Sequence, residues 1–230
     1  ISSEGKAVGI EVRLTHFAII SDGSKFDNPK PLKQGEKNLK RKQHSLSRKE
    51  KGSKHRGKAR RIVARVHDPS ANTRKDFQHK LSRKLVNDNQ VIVVENLAVK
   101  NMVKPHCLAN AISDCGWSEF TRQLTYKAQK DGKTYLEMGR LFPLSKICHV
   151  GLNQVGSLPL NVRTWTCSKF QEKHDRDVNA AINILHEGLR ILALATSATA
   201  SGGNVRPHVV RNSSVSEAVS VEARSPRSIA

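Results

Sequence analysis

The sequence is poor in aromatic residues, cysteine, acidic residues and long apolar segments. Aromatic residues make up 4% of its 230 residues, which argues against recognition of nucleic-acid bases by stacking on aromatic platforms. Its 4 cysteines are too few for a disulfide scaffold. No apolar run is long enough for a membrane span, and no signal peptide is recognised. We therefore expect a cytoplasmic protein and exclude the secreted and membrane classes.

Basic residues dominate instead. The chain has 40 Lys and Arg residues against 20 Asp and Glu residues, a formal net charge of +20, and its isoelectric point is near 10.2. Such a balance indicates a polyanionic partner, and nucleic acid is the commonest one. Hydrophobic residues are 37% of the chain, enough for a core but with some length left outside it. Because the chain opens with Ile1 rather than Met, we expect a fragment, a processed chain or a truncated copy.

Residues 7–20 open with the alternation that is typical of a strand with one apolar face. Every second residue from Val8 to Leu14 is apolar, so Glu11 is predicted to lie on the polar face. A Ser-Asp-Gly turn follows, and Lys25–Asn28 is predicted to form a short second strand that completes a hairpin.

Residues 30–65 carry fifteen Lys or Arg residues and two acidic residues, a net charge of +13. We expect a long exposed basic helix or a helical hairpin broken near Gly52, then a second helix from about Pro69. A solvated face is the simpler reading of most charge runs, but self-repulsion at this density favours a phosphate partner. The predicted nucleic-acid contacts are Lys40, Arg41, Lys42, Arg48, Lys49, Lys54, Arg56, Arg60 and Arg61.

The remaining regular elements follow from apolar patterns. Val91–Val94 is a β-branched run that predicts a central strand covered on both faces. Helices are predicted over 108–130 and 175–194, and a strand over 134–138. The inward-facing residues of the two helices are predicted to be Leu108, Ile112, Trp117, Phe120 and Leu124, and Ala181, Ile184, Leu185 and Leu189.

Three carboxylates are placed where they could converge at one edge of the sheet. Glu11 lies on the first strand, Glu95 ends the central strand, and Asp177 lies in the first turn of the last helix. Mg²⁺ prefers such oxygen ligands. Taken singly, each has a simpler explanation: Glu11 could be a solvated partner of Arg13, Glu95 a turn cap, and Asp175 with Asp177 helix-capping charges.

The sequence resembles the TnpB (OrfB) proteins, the transposases of bacterial insertion sequences that are related to the type V CRISPR effectors. The resemblance covers about residues 5–204. It rests on GIEVRLTHFA (9–18), RKDFQHKLS (74–82), VIVVENLAVKNM (91–102), AISDCGW (111–117), FPLSKIC (142–148) and HDRDVNAAINI (174–184). It implies an RNase H-like RuvC fold, an embedded zinc ribbon and cleavage of DNA guided by a transposon-encoded RNA. It also implies that the N-terminal domains of the family are missing.

Carried over by position, the catalytic and Mg²⁺-binding triad of the family falls on Glu11, Glu95 and Asp177, with Mn²⁺ as a possible substitute ion. The family places Asp where this chain has Glu11, and usually Gly where it has Arg13. The extra methylene displaces the carboxylate, and a misplacement of about 1 Å can cost on the order of 10²-fold in rate. Arg13 could compete with the metal for Glu11 or obstruct the substrate. We therefore expect weak or absent cleavage.

The zinc ribbon that the resemblance implies has lost ligands. Its pattern reads Cys148-x-x-Gly151 and Cys167-x-x-Phe170, so the second ligand of each pair is missing. Two thiolates rarely hold structural zinc, and His149 or His174 would have to substitute. We do not expect zinc in this copy, and without it we expect residues 143–174 to be poorly ordered. Cys107 and Cys115 are interpreted as small core residues.

Together these features predict an α/β fold: an RNase H-like mixed sheet flanked by helices, with a basic helical insertion and a degenerate ribbon. The predicted units are 1–142 with the insertion at about 30–90, the ribbon at 143–174, a last helix over 175–194 and a disordered tail over 195–230. The expected partners are DNA and a transposon-encoded guide RNA, near the bacterial nucleoid, and no membrane. The alternatives are a nuclease-dead regulator or inert transposon remnant, and a general basic RNA-binding protein.

Overall fold

A computed structural model of the chain describes residues 5–97, 99–102, 106–139, 144–159, 161–200 and 210–211. Its strands, in chain order, are β1 (Ala7–Val12), β2 (His16–Ile20), β3 (Lys25–Asp27), β4 (Val91–Glu95), β5 (Thr134–Met138), β6 (Thr164–Thr166), β7 (Lys173–Asp175) and β8 (Val210–Arg211). Its helices are α1 (Pro31–Ser47), α2 (Lys54–Asp88), α3 (Val99–Met102), α4 (His106–Cys115), α5 (Trp117–Lys130) and α6 (Arg176–Ala200). Within the described residues, no helix is both long and apolar enough to cross a membrane.

The main sheet has six strands in the order β3-β2-β1-β4-β5-β8. The β1, β2 and β3 strands pair antiparallel, whereas β4, β5 and β8 continue parallel to β1. The sheet is therefore mixed, as predicted. The β6 and β7 strands form a separate antiparallel pair.

Helices cover both faces of the sheet. On β4, Ile92 and Val94 belong to one core cluster with apolar residues of α2 and α5. Between them, Val93 belongs to a second cluster with Ala180 and Ile184 of α6. This arrangement confirms the prediction that the Val91–Val94 run is a strand buried on both sides.

The β1 strand is buried more completely than its alternating sequence predicts. Glu11 is only 5% exposed, so the prediction that it lies on a polar face is wrong. The cause is α6, which packs over that face at Gly9, where a Cβ atom would lie 2.1 Å from the Ala181 carbonyl oxygen. The predicted strand also ends earlier, because β1 stops at Val12 and β2 begins at His16.

The basic segment forms the predicted helical hairpin. α1 and α2 are joined through a turn in which Gly52 has a φ of 87°, a conformation that glycine adopts without strain. The side chain of Ser53 caps α2 by accepting a hydrogen bond from the Arg56 backbone N–H. The predicted new helix at Pro69 is not formed, because α2 continues through Pro69 to Asp88.

The other helices differ from prediction at a few points. The predicted 108–130 helix is divided at Gly116, which has a φ of 64°, and Leu108 is 48% exposed rather than inward-facing. In α6, Leu189 is also exposed. The α6 helix continues beyond the predicted end at residue 194 to Ala200, and β8 adds a short strand to the sheet. The rest of the predicted disordered tail lies outside the described residues.

Candidate functional site

The strand register places Glu11 and Glu95 side by side. β1 and β4 are parallel neighbours, and Ile10 is paired with Val94. The next residue on each strand is a glutamate, so both carboxylates lie at the carboxyl edge of the sheet. This is the edge at which open α/β sheets usually place their chemistry.

Asp177 approaches the same edge from the first turn of α6. The side chain of Asp175 caps this helix, because its Oδ1 atom accepts hydrogen bonds from the backbone N–H groups of Asp177 at 3.0 Å and Val178 at 3.1 Å. Lys25 of β3 donates to the other oxygen of Asp175 at 2.6 Å. The capping role is thus observed for Asp175. Asp177 instead points towards the sheet, and its side chain is 13% exposed.

Arg13 lies between two of the three carboxylates. Its Nη2 atom is 2.8 Å from Glu11 Oε1, and its Nε atom is 3.0 Å from Asp177 Oδ1. A second cation, Arg163, is 4.0 Å from Asp177 Oδ2. The alternative pairing of Glu11 with Arg13 is therefore observed, but the pair is largely buried rather than solvated.

Several buried atoms of this group lack hydrogen-bond partners among the described residues: Glu11 Oε2, Arg13 Nε and Asp177 Oδ1. The contact between Arg13 Nε and Asp177 Oδ1 is thus an attraction of charges without hydrogen-bond alignment. The carboxyl groups of Glu11 and Glu95 lie within hydrogen-bonding reach of each other, and they can share a hydrogen bond only while one of the two is protonated. Buried unsatisfied groups of this kind are costly and are typical of functional sites.

Glu11 and Glu95 have raised pKa values. Burial, followed by the negative charge of Glu95, raises the pKa of Glu11 to about 8, although Arg13 acts in the opposite direction. Burial also raises the pKa of Glu95 above its usual value. Near neutral pH, the pair therefore holds a proton between two adjacent carboxyl groups.

The donor atoms are of the type that Mg²⁺ takes, but their arrangement does not fit the ion. Among the described residues, no three His, Cys, Asp or Glu side chains lie close enough together to hold a metal. The guanidinium of Arg13 instead contacts two of the three carboxylates. The three carboxylates share one edge of the sheet, yet they do not form a metal cage.

A cleft of about 610 Å³ opens beside these residues. Glu11 and Glu95 line it, together with Arg13, Lys146 and Arg163. Asp177 is not among the lining residues, although both of its arginine partners are. The cleft thus presents three cations beside two carboxyl groups of raised pKa, which suits the approach of a phosphate group.

The two cysteines of the predicted ribbon lie on matching turns, here called the Cys148 turn (148–152) and the Cys167 turn (167–171). In each, the cysteine carbonyl accepts a hydrogen bond from the backbone N–H four residues later, at 2.8 Å. The fourth residues, Leu152 and Gln171, both have positive φ angles of 56° and 55°. The same backbone turn is therefore formed twice, and each turn contains one cysteine.

Gly151 and Phe170 stand at the two positions where the predicted ribbon would need cysteines, and the ring of Phe170 occupies the space beside Gly151. A Cβ atom on Gly151 would lie 2.0 Å from the Cζ atom of Phe170. Cys148 Sγ is 3.2 Å from His174 Nε2, so His174 is the histidine that lies beside the remaining thiols. His149 is engaged elsewhere, since its ring and its backbone N–H both contact the Asn179 side chain.

The described part of this segment, 144–159 and 161–175, has a small apolar core. Cys148, Leu158, Trp165 and Cys167 are buried against one another. The Asn179 amide of α6 donates to the Ile147 carbonyl at 2.7 Å and joins the segment to the helix. The expectation of a poorly ordered ribbon is therefore wrong for these residues, because packing and hydrogen bonds hold them.

Comparisons with known proteins agree with this architecture. A family model described as OrfB, "Probable transposase", matches residues 2–105, and a "Cas12f1-like, TNB domain" model matches residues 117–184. A "Putative RNA-guided DNA endonuclease" of Streptomyces pristinaespiralis is 46% identical over 201 residues, which are 87% of this chain and 48% of that protein. The chain belongs to the OrfB (TnpB) family.

Other relatives of this OrfB-family chain are more distant. The "Putative RNA-guided DNA endonuclease InsQ" of Escherichia coli K12 is 30% identical over 201 residues, covering 81% of this chain and 50% of that protein. Thus the chain spans about half the length of these curated relatives. A chain of "Cryo-EM structure of the Cas12f1-sgRNA-target DNA complex" superposes with a TM-score of 0.55 at 17% identity, over 80% of this chain and 50% of that one. This likeness shows a shared α/β fold.

Some of the residues that are predicted to contact nucleic acid in this OrfB-family chain have partners within the protein, and others do not. Arg56 donates to the Lys49 carbonyl at 2.8 Å and ties the end of α1 to α2, a structural role that the sequence did not reveal. Lys40 pairs with Glu36 at 2.6 Å, and Arg41 donates to Asn38. The other predicted contacts have no ion-pair partner among the described residues and lie on the hairpin: Lys42, Arg48, Lys49, Lys54, Arg60 and Arg61.

Three residues of this region were not singled out from the sequence. Arg163 lines the cleft and pairs with Asp177. Arg176 donates to the Pro159 carbonyl at 2.7 Å, and Asn179 anchors the Cys148 turn. The sequence did contain a signal for Asn179, because this residue lies within the HDRDVNAAINI motif (174–184). Arg163 lies in an irregular segment without such a signal.

Proposed function

We propose that this chain is the RuvC-like, C-terminal portion of a TnpB-type protein that binds RNA and DNA and cleaves DNA weakly or not at all. The observation that carries the proposal is the meeting of Glu11, Glu95 and Asp177 at one edge of the sheet without a metal cage. The position and type of these residues point to a nuclease origin. Their arrangement argues against an efficient phosphodiester hydrolase, which needs closely held metal ligands.

The finer architecture is part of the same proposal. The mixed sheet with helices on both faces is assigned to the RNase H-like RuvC class, with α1 and α2 as its basic insertion. Residues 143–174 are assigned as a zinc ribbon that no longer takes zinc. The repeated Cys148 and Cys167 turns support the ribbon assignment, and the ring of Phe170 against Gly151 supports the loss of the ion.

The nucleic-acid partners are a transposon-encoded guide RNA and its DNA target, in the bacterial cytoplasm at the nucleoid. Exposed cations on α1 and α2 would hold the phosphate backbone by charge and shape, while base pairing selects the sequence. The hairpin supports this role because arginines 60 and 61 are exposed on it, without an ion-pair partner among the described residues.

In an intact relative, Glu95, Asp177 and a first-strand carboxylate would bind Mg²⁺, for which Mn²⁺ can substitute. In this chain, Glu11 is longer than the family's Asp by one methylene, and about 1 Å of misplacement can cost on the order of 10²-fold in rate. Two observations favour the alternative of a nuclease-dead binding protein or an inert transposon remnant: the missing metal cage and the lost ribbon ligands.

The proposal is tested by measuring RNA binding and DNA cleavage with the same purified chain. The ligand is RNA from the transposon end, and binding is followed across a series of salt concentrations. Arg60→Gln/Arg61→Gln is expected to weaken binding and to reduce the slope of log K against log salt by about 1.4 for single-stranded RNA. Lys80→Gln/Arg122→Gln removes the same charge from exposed residues that are already paired with Asp76 and Glu119, and should change binding less.

Cleavage is measured with the RNA, a matching DNA target and Mg²⁺ or Mn²⁺, beside Asp177→Ala. Bound RNA with little or no metal-dependent cleavage supports the proposal. Rapid cleavage that Asp177→Ala abolishes would show that this edge of the sheet is a working catalytic site and that impairment was wrongly assigned. Equal binding by both charge variants and the wild type would contradict the assignment of the hairpin as the RNA-binding surface.

A further inference from the structure

The guanidinium of Arg13 contacts two of the three carboxylates at the edge of the sheet. Arg13 follows the end of β1, and its guanidinium lies 2.8 Å from Glu11 on that strand and 3.0 Å from Asp177 on α6. The sequence by itself suggests competition for Glu11 alone, since the two residues lie on one predicted strand. The contact with Asp177 exists only because α6 packs across β1.

Arg13 supplies positive charge to Glu11 and Asp177 without forming a fully hydrogen-bonded ion pair with either of them. Glu11 Oε2 and Asp177 Oδ1 are buried without hydrogen-bond partners among the described residues, and so is Arg13 Nε. In a strong guanidinium–carboxylate pair, two aligned N–H groups donate to the two carboxylate oxygens. Arg13 does not bind either carboxylate in this way. The oxygens therefore retain unused capacity as ligands.

We infer that Arg13 acts as a built-in cation between Glu11 and Asp177, and that divalent metal binds there only when Arg13 is removed. The inference rests on the proposed nuclease origin of the three carboxylates, and it concerns the protein without nucleic acid. A divalent ion and a guanidinium cannot approach the same carboxylate oxygens together, because they repel and compete for the same lone pairs. The positive charge of Arg13 thus prevents a divalent ion from binding between Glu11 and Asp177.

The test measures Mn²⁺ binding to the full chain at pH 8 by the loss of the free-ion electron paramagnetic resonance signal. We expect wild-type protein to bind Mn²⁺ weakly and Arg13→Gly to bind one ion at least about tenfold more tightly, because a neighbouring positive charge no longer opposes it. Arg13→Lys keeps the charge and should behave as the wild type. Arg13→Gly/Asp177→Asn should lose the gained affinity, which assigns the ion to this site.

Two outcomes would overturn the inference. The first is wild-type binding as tight as that of Arg13→Gly and lost in Asp177→Asn. The second is a folded Arg13→Gly, shown by its circular dichroism, that binds no more Mn²⁺ than the wild type. If Arg13→Gly does not fold, Arg13→Gln replaces it, since it removes the charge with less change in volume. RNA binding is measured on the same variants, so that loss of the proposed function is seen separately.

Discussion

Glu11 places an ionisable carboxyl group in an electrostatically unfavourable environment. Its carboxyl group is buried beside Glu95, and one of its oxygens has no donor among the described residues. Burial and the negative charge of Glu95 raise its pKa to about 8, against a usual 4.5, and Arg13 compensates only in part. Removing the charge of Glu11 should therefore stabilise the fold at alkaline pH.

The raised pKa of Glu11 is expected to lower the stability of the protein as the pH rises from about 4.5 to 8. In this range the folded state holds a proton on Glu11 that the unfolded state releases, so unfolding becomes easier by up to about 1.4 kcal/mol for each pH unit. Glu95 has a raised pKa and contributes with the same sign. Guanidinium unfolding at several pH values measures the slope.

Glu11→Gln is expected to flatten this slope and to raise the free energy of unfolding at pH 8. Glu36→Gln is the matched control, because Glu36 is an exposed carboxylate that pairs with Lys40 on α1. That variant should leave the decline in place. Below about pH 6.5 the lowered pKa of His174 acts in the opposite direction. A free energy of unfolding that stays constant or increases between pH 6.5 and 8 in the wild type would therefore contradict the raised pKa of Glu11.

The segment that is predicted to be a degenerate zinc ribbon contains two matching backbone turns, each with one cysteine. The Cys148 and Cys167 turns share their hydrogen bonds and positive φ angles. Phe170 packs where two ligand side chains would otherwise face each other, since Gly151 leaves room for its ring. His174 lies beside Cys148, and burial, followed by the neighbouring charge of His149, lowers its pKa below the usual value.

Restoring both cysteines should restore a metal site. Gly151→Cys/Phe170→Cys places a thiol at each lost position on turns that are already formed, and four thiolates suit tetrahedral zinc. We expect the double variant to bind one Co²⁺ with the visible spectrum of a tetrahedral thiolate site, to exchange it for Zn²⁺, and to melt at a higher temperature with metal. The wild type should show no such spectrum.

The single variants are the controls for this restoration. Gly151→Cys alone should be destabilised, because its Cβ atom would meet the Phe170 ring at 2.0 Å. Phe170→Cys alone should fold but bind Co²⁺ weakly, with three cysteines. A tetrahedral cobalt spectrum in the wild type that disappears in Cys148→Ser would show that the two remaining thiols and His174 already hold metal.

Helix α2 shows that a local signal can be overridden by its surroundings. Proline inside a helix removes a hydrogen bond and disfavours the helical turn before it, and Pro69 therefore predicts a helix start. In the structure, α2 passes through Pro69 without ending. The adjacent Ser70 is buried and donates to the Pro31 carbonyl of α1, so contacts with α1 stabilise the helix on this side.

The site as a whole depends on α6, which returns late in the chain to pack on the first strand. Gly9 and Gly188 allow this approach, because a Cβ atom at either position would meet α6 or Val93 at less than 3 Å. The same packing buries Glu11 and brings Asp177 to Arg13. The distance between sheet and helix is therefore set by two residues without side chains.

Gly9→Ala is expected to destabilise the protein by about 3 kcal/mol or more, since the new methyl group would lie 2.1 Å from a backbone oxygen that cannot move aside alone. Urea unfolding measures the change. Gly156→Ala is the matched control, because no atom lies within 4 Å of its Cβ position. A free energy of unfolding of Gly9→Ala within about 0.5 kcal/mol of the wild type would contradict the close packing of α6 on β1.

Local patterns were sufficient to predict the strands around Glu11 and Glu95, the basic hairpin and the helix that begins near Asp177. These features depend on the period of apolar residues and on caps, which are properties of neighbouring positions. The burial of Glu11, the contact of Arg13 with Asp177 and the ring of Phe170 against Gly151 were not predictable in this way. Each joins residues that meet only after the chain has folded back, so the tertiary structure decides them.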